Sequence, residues 1–233
     1  MDKPAMSTWT KTMAIAAMAM LSLTCAAQDD PEYRHEVGVG AGMAGYLGDY
    51  NGSLTRGMQP AASLMWRYNI DPWMALRLNM GYEKMKGSSR NVDTWYPETA
   101  QGEYTFGNSL YDISIVYEYN FLPFGTGRDY RGAKRFTPFV LGGLGLGVCK
   151  TTEKTRTAME LPIGIGVKYK ISERVNLGLE WAVNFTTSDW LDGVKDPYGI
   201  ESSGMFKNTD AFHRLQLSLT YSFSPKCINC NKE

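Results

Sequence analysis

From Leu161 to Phe185 apolar or aromatic side chains stand at almost every second position. The first run is Leu161, Ile163, Ile165, Val167, Tyr169 and Ile171, and the second is Val175, Leu177, Leu179, Trp181, Val183 and Phe185. The places between them hold Pro162, Gly164, Gly166, Lys168 and Lys170, then Asn176, Gly178, Glu180, Ala182 and Asn184. Successive side chains of an extended chain point to opposite sides, so a period of two predicts two strands, each with one apolar face and one face of small, polar and charged groups. Ser172-Glu173-Arg174 is the turn that joins them.

The same pattern recurs through the chain. "HEVGVGAGMAGY" reads as a glycine-rich first strand. "ASLMWRYNI" puts Leu64, Trp66, Tyr68 and Ile70 on one face, and "WMALRLNMGYEKM" does the same with Met74, Leu76, Leu78, Met80 and Tyr82. "SLYDISIVYEYNF", "FTPFVLGGLGLGVC" and, near the end, "HRLQLSLTYSF" complete a set of eight. In the fifth, Phe139 and Leu141 fall out of phase with Leu144, Leu146 and Val148; one extra residue in a strand shifts its face by one, so the slip predicts a β-bulge at Gly142-Gly143.

A soluble sandwich would turn the apolar face toward a second sheet, and an outer-membrane barrel would turn it toward lipid. Connection lengths favour the barrel. With both termini in the periplasm, the inner turns at Asp71-Pro72 and Ser172-Glu173-Arg174 are short, and the outer connections near 84–108 and 186–210 are long. The fourth connection, "LPFGTGRDYRGAKR", is long where a short one is expected. Strands of about 10 residues and aromatics gathered toward strand ends, such as Tyr117, Tyr119 and Phe121, agree with a bilayer-crossing barrel and its interfacial girdle. The expected fold is therefore all-β: an eight-stranded antiparallel transmembrane β-barrel of outer-membrane type.

The beginning of the chain changes the picture by fixing the compartment. Lys3 and Lys11 precede the uncharged "TMAIAAMAMLSL" and the small residues of "TCAAQDD", the order of a secretory signal peptide cleaved after Ala27. Lipoprotein processing at Cys25 is the alternative, against which Ser22 and Thr24 stand where a lipobox prefers Leu and a small residue. The organisation expected is a leader over 1–27, a barrel over 28–224 and a periplasmic tail over 225–233. Composition adds 12% aromatic residues, 24 glycines and a formal net charge of zero, which leaves no electrostatic footprint for nucleic acid. The leader's apolar stretch is shorter than the roughly 20 residues that a transmembrane helix needs, and no other segment is long and apolar enough.

Alternation also predicts what fills the barrel. Arg67, Arg77, Glu83, Glu118, Lys168, Glu180 and Arg214 fall on the inward parity. An eight-stranded barrel is just wide enough for its own side chains, and unpaired buried charge costs several kcal/mol, so these residues are expected to pair as a plug and not to line a pore.

Several stretches together carry a resemblance. "GYLGDYNG", "WRYNIDPWMALRLNMGYEKMKG", "FTPFVLGGLGLGV", "LPIGIGVKYKISERVNLGLEW" and "TTSDWLDGV" resemble, in order and over most of the mature chain, the PorG-type barrel proteins of the type IX secretion system. The resemblance implies a non-catalytic outer-membrane component that binds no cofactor. It also implies association with a periplasmic ring built from a PorK-like lipoprotein and a PorN-like partner. The alternative is a general structural or adhesive small barrel of the OmpX or OmpA type, in contact with outer-membrane lipid.

A lipid-cleaving barrel would need a nucleophile beside a base at the outer rim. The chain offers His35, expected before the first strand on the periplasmic side, and His213, expected where the last strand begins. Cys149 ends the fifth strand on the outer side, too far from Cys227 and Cys230 for a bridge, since the Cα atoms of a disulfide lie within about 7 Å. Cys227 and Cys230, in "CINC", are expected either to bridge each other or to bond a partner; as a zinc half-site they lack a second pair of ligands. A barrel that anchors a ring must offer something on its inner rim. The residues expected to do so are Arg128, Asp129, Tyr130, Arg131, Lys134 and Arg135 of the overlong connection, together with Cys227 and Cys230 of the tail.

Overall fold

Eight alternating segments close on themselves. The computed structural model describes residues 33–47, 54–88, 105–125, 132–150, 155–187 and 210–225, so the leader and the tail cysteines lie outside the described residues. The chain divides into Met1–Asp30 and Pro31–Glu233, and the second unit holds every described strand. These are β1 (Tyr33–Leu47), β2 (Gln59–Asn69), β3 (Met74–Ser88), β4 (Thr105–Asn120), β5 (Phe136–Lys150), β6 (Thr155–Lys170), β7 (Val175–Thr186) and β8 (Ala211–Pro225). They form a closed barrel in sequence order, β1 pairing antiparallel with both β2 and β8. The chain is an eight-stranded antiparallel transmembrane β-barrel of outer-membrane type.

Register fixes the tilt. Starting at Gly45, the cross-strand partners run His213, Val183, Ile163, Gly142, Tyr117, Leu76 and Tyr68, and return to β1 at His35. The circuit closes ten residues from where it began. Such a stagger tilts the strands by about 40° from the barrel axis.

The two faces differ as alternation demands. Val39, Leu64, Ile115, Leu144, Ile165 and Leu217 are among the exposed residues of an apolar outer belt, while Glu36, Arg67, Arg77, Glu118, Lys168 and Glu180 are buried inside. The belt ends on the side of the termini in a dense aromatic girdle. There His35 stacks against Trp66 at 5.7 Å and Phe223 at 5.6 Å, and Tyr119 meets Phe121 edge-on at 5.8 Å. His35 is thus an outward residue of β1 within this girdle, and not a solvated group ahead of the strand. The closed ladder begins earlier than the hydrophobic pattern suggests, because Tyr33 already pairs with Pro225.

Two other expectations are corrected. The strands run 11 to 16 residues, longer than the expected ten, and β3 and β4 extend through Ser88 and from Thr105, into what the sequence reads as loop. The reason is a polarity reversal. Beyond Tyr82 and Tyr111 the outward residues become Lys84, Lys86, Ser109 and Lys150, and the inward ones become Met85, Phe106, Leu110 and Cys149, which cluster with Tyr46 and Phe212. That end of the barrel has an apolar interior and a polar exterior, the arrangement that water requires.

Nor is there a bulge at Gly142-Gly143. The β4–β5 register runs without a step from Asn120↔Phe139 to Ser109↔Lys150, and β5–β6 keeps one register on either side of these glycines. Phe139 and Leu141 simply point inward, where they pack with Val116 and Ala182. Gly166 makes room for Phe139, since a Cβ there would lie 2.6 Å from its ring.

The belt predicts its own test. Ile115 is 56% exposed at mid-height, so Ile115→Arg places a charge against lipid and should cost about 2–4 kcal/mol of folding stability in liposomes, while Ile115→Leu should be near neutral. Folded and boiled samples migrating differently on a mildly denaturing gel would report the folded fraction.

Candidate functional site

Strand parity sends the charged residues inward, and closure brings them together. Glu118 on β4 is completely buried and takes Arg67 from β2 at 2.9 Å, Arg77 from β3 at 3.1 Å and Lys168 from β6. Arg67 also binds Glu36 on β1 at 2.6 Å. Arg77 reaches across the lumen to Glu180 on β7 at 2.5 Å. Polar side chains complete the lattice: Asn69 and Thr220 donate to Glu36 at 2.9 and 3.0 Å, Gln216 donates to Glu180 at 3.2 Å, and Lys168 donates to Asn120 at 3.0 Å. Three carboxylates meet three cations, so this tier is neutral; its ion pairs join six of the eight strands, and Gln216 and Thr220 add β8.

A second tier lies toward the loop-bearing end, and its charges do not balance. Arg214 on β8 binds Glu83 on β3 at 2.5 Å and Asp112 on β4 at 3.3 Å. Gly81 leaves the space this cluster occupies, since a Cβ there would meet Asp112 and come within 2.8 Å of Arg214. Glu160 is buried against the same group, and neither of its carboxylate oxygens has a hydrogen-bond partner among the described residues. Three acids thus face one guanidinium.

The mouth on the side of the termini is capped. Asp71 accepts hydrogen bonds from the backbone N–H groups of Trp73 and Met74, both at 2.7 Å, which sets the β2–β3 turn. Phe124, from the long β4–β5 connection, donates its N–H to Pro72 at 3.0 Å, and its ring lies 5.5 Å from Lys170 Nζ. On the other side Lys170 lies 5.7 Å from the Tyr33 ring, and Arg174 also stacks on Tyr33. Arg174 donates to the Tyr221 hydroxyl at 3.2 Å, and that bond, with the neighbouring Tyr33, holds its guanidinium above its ordinary pKa. A cavity of about 20 Å³ remains under the cap, lined by Glu36, Asn69, Asp71 and Ser222 among others. That is room for about one water molecule.

Of the residues expected to bind a partner, Lys134 and Arg135 are described. Both are exposed on this rim, where Lys134 exchanges backbone hydrogen bonds with Pro123 and Gly125 at 2.7 and 3.0 Å, and the Arg135 carbonyl accepts from Lys170 at 2.7 Å. Arg128, Asp129, Tyr130, Arg131, Cys227 and Cys230 lie outside the described residues. Alternation alone does not reveal the cap of Tyr33, Phe124 and Lys170. Its signal was the lone "LPF" in an otherwise polar connection. His213 has the outward parity of β8 but is buried, over Gly45 and beside Val183, where the Leu54 backbone reaches it.

Residues 12–232 match the family model described as "Domain of unknown function (DUF6089)". The chain belongs to the DUF6089 family. No curated protein matches its sequence. Among solved structures, this DUF6089 barrel is similar to Neisserial surface protein A (NspA) at 16% identity and a TM-score of 0.52, over 81% of this chain and 97% of that one. It also matches the N-terminal β-barrel domain of Pseudomonas aeruginosa OprF at 14% identity and a TM-score of 0.42, covering 82% and 99%. A third match is Ail, the attachment invasion locus protein of Yersinia pestis, at 10% identity and a TM-score of 0.45, again covering 82% and 99%. The likeness to NspA shows a shared fold.

The two tiers should respond oppositely to losing a carboxylate. Glu118→Ala leaves Lys168 without a carboxylate and takes from Arg67 and Arg77 one of their two, around a void, and should lower stability by about 3–5 kcal/mol. Glu160→Gln removes a buried carboxylate with no described partner and should leave stability unchanged or raise it by about 1–2 kcal/mol. Urea unfolding midpoints in detergent, followed by tryptophan fluorescence, compare the two.

Proposed function

We propose that this DUF6089 barrel is a non-catalytic outer-membrane anchor for a periplasmic assembly, of the PorG type that serves type IX secretion. In this reading the leader over 1–27 directs export, both termini lie in the periplasm, and the capped mouth faces inward. The partners are a PorK-like lipoprotein and a PorN-like ring protein. The observation that carries the reading is the β4–β5 connection. It is the inner connection that is too long for a simple turn, it is tied to the rim through Phe124 and Lys134, and it displays Lys134 and Arg135 to the outside. A loop fixed at its base with exposed cations suits recognition of an acidic partner surface, in which charge steers and aromatic residues anchor.

The ion-paired tier around Glu118, which spans the lumen, supports an anchor over a channel. The ordered resemblance supplies the partner class: "YLGD" contributes Tyr46, whose hydroxyl is hydrogen-bonded to Asp210 inside the loop-bearing end, and "NIDPWMALRL" builds the turn at Asp71. Cys227 and Cys230 are a second contact in this proposal, closed on each other or bonded to the partner.

Crosslinking in the native membrane tests it. Wild-type protein should recover PorK-like and PorN-like proteins. Reversing Arg128, Arg131, Lys134 and Arg135 to Glu should reduce that recovery at least tenfold while the heat-modifiable barrel persists, and replacing both tail cysteines with Ser probes the second contact. Undiminished recovery in both variants removes the inner rim as the docking site; recovery of neither partner by the wild type removes the secretion reading.

A further inference from the structure

The polarity reversal marks where the outer wall leaves the apolar phase. Tyr82 and Tyr111 are paired across β3 and β4 with ring centroids 5.0 Å apart. On one side of them the outward residues are Met80, Ile113 and Leu146, all exposed and apolar. Aromatic residues with a polar tip favour the depth at which hydrocarbon gives way to headgroups.

One step beyond that boundary, on the side away from the termini, the wall is basic. Lys84, Lys86 and Lys150 are exposed and outward, and no ion pair joins them to any described residue. Lys84 pairs with Ser109, and Ser109 pairs with Lys150, so two lysines flank a serine about 10 Å apart across three strands. Lys86 stands about 7 Å further along β3 on the same face. Between the strands the surface is low: Lys86 faces Gly107, where a Cβ would have nothing within 4 Å. The other described outward residues here, Thr105, Thr155 and Thr157, are uncharged, and no described carboxylate shares the face, since Glu83, Asp112 and Glu160 all point inward. Three cations around a shallow floor with hydroxyls at its edge, held at headgroup depth, form a receptor for phosphate.

We propose that Lys84, Lys86 and Lys150 bind the phosphates of a multiply phosphorylated glycolipid in the leaflet that meets the loop-bearing rim. Depth selects a lipid over a soluble anion, because the patch begins where the apolar belt stops. The spacing of the lysines selects a headgroup with more than one phosphate over a single phosphodiester. The glycolipid belongs to the outer leaflet on the orientation proposed above, but the patch itself is independent of the ring contact, which lies on the opposite rim.

The test uses the full chain folded in phosphatidylcholine nanodiscs and a fluorescent lipid A carrying two phosphates as probe. Wild-type protein should bind it with an affinity that falls as salt rises. The variant K84Q/K86Q/K150Q should bind about 100-fold more weakly, roughly fivefold for each lysine removed. K134Q/R135Q, altered on the other rim, should bind like the wild type, and lipid A stripped of both phosphates should bind no variant better than another. Should the triple variant fail to fold, K150Q alone, with its single fivefold loss and shallower salt dependence, decides the matter. Equal binding of phosphorylated and dephosphorylated probe by the wild type, or equal binding by wild type and lysine variants, overturns the proposal. Loss of lipid A binding with ring recovery intact leaves the anchoring function standing, so the two readings fail separately.

Discussion

Glu118 is the residue on which the barrel interior turns. A single completely buried carboxylate receives Arg67, Arg77 and Lys168 from three different strands, and through them reaches Glu36 and Glu180. Burying one such charge alone would be prohibitive, whereas a closed set of pairs with the remaining lone pairs hydrogen-bonded is tolerated. The consequence is structural and functional at once. Struts such as Arg77 to Glu180 cross the lumen where a pore would run, and they specify which strand stands opposite which. A slip of one residue would turn every strut outward into lipid.

The same constraint explains the architecture around it. Charge fills the section of the barrel whose outside is apolar. Where the outside becomes polar at Lys84 and Ser109, the inside changes to Met85, Phe106 and Leu110. Each section places its apolar surface against whatever is apolar beside it, lipid in one case and its own interior in the other. The ends then differ in role. One is capped by Phe124, Tyr33 and Lys170 and exposes Lys134 and Arg135, and the other exposes Lys84, Lys86 and Lys150.

Much of this is written in the period of the chain. Parity places Arg67, Arg77, Glu83, Glu118, Lys168, Glu180 and Arg214 inside, and all seven are buried there. Parity also covers Glu36, Asp112 and Glu160, which attract less notice because glycine or isoleucine neighbours dominate their strands. The apparent phase slip at Gly142-Gly143 arises because an apolar side chain need not face lipid; Phe139 fills an inward gap over Gly166, and Leu141 packs beside it with Val116 and Ala182. The extensions of β3 and β4 were illegible for the same reason, since their apolar side is the inner one. Which carboxylate meets which cation, and the seat of Phe124 on the mouth, depend on closure in three dimensions and have no local signature.

The central claim is that paired charge occludes the lumen, and electrical recording in planar bilayers tests it most directly. Pure wild-type barrel inserted in a phosphatidylcholine bilayer should give a current no greater than the bare membrane, because the ion pairs around Glu118 cross the lumen. Steady, reproducible unitary currents from the folded wild-type protein would contradict the account and make the same charges the lining of a channel.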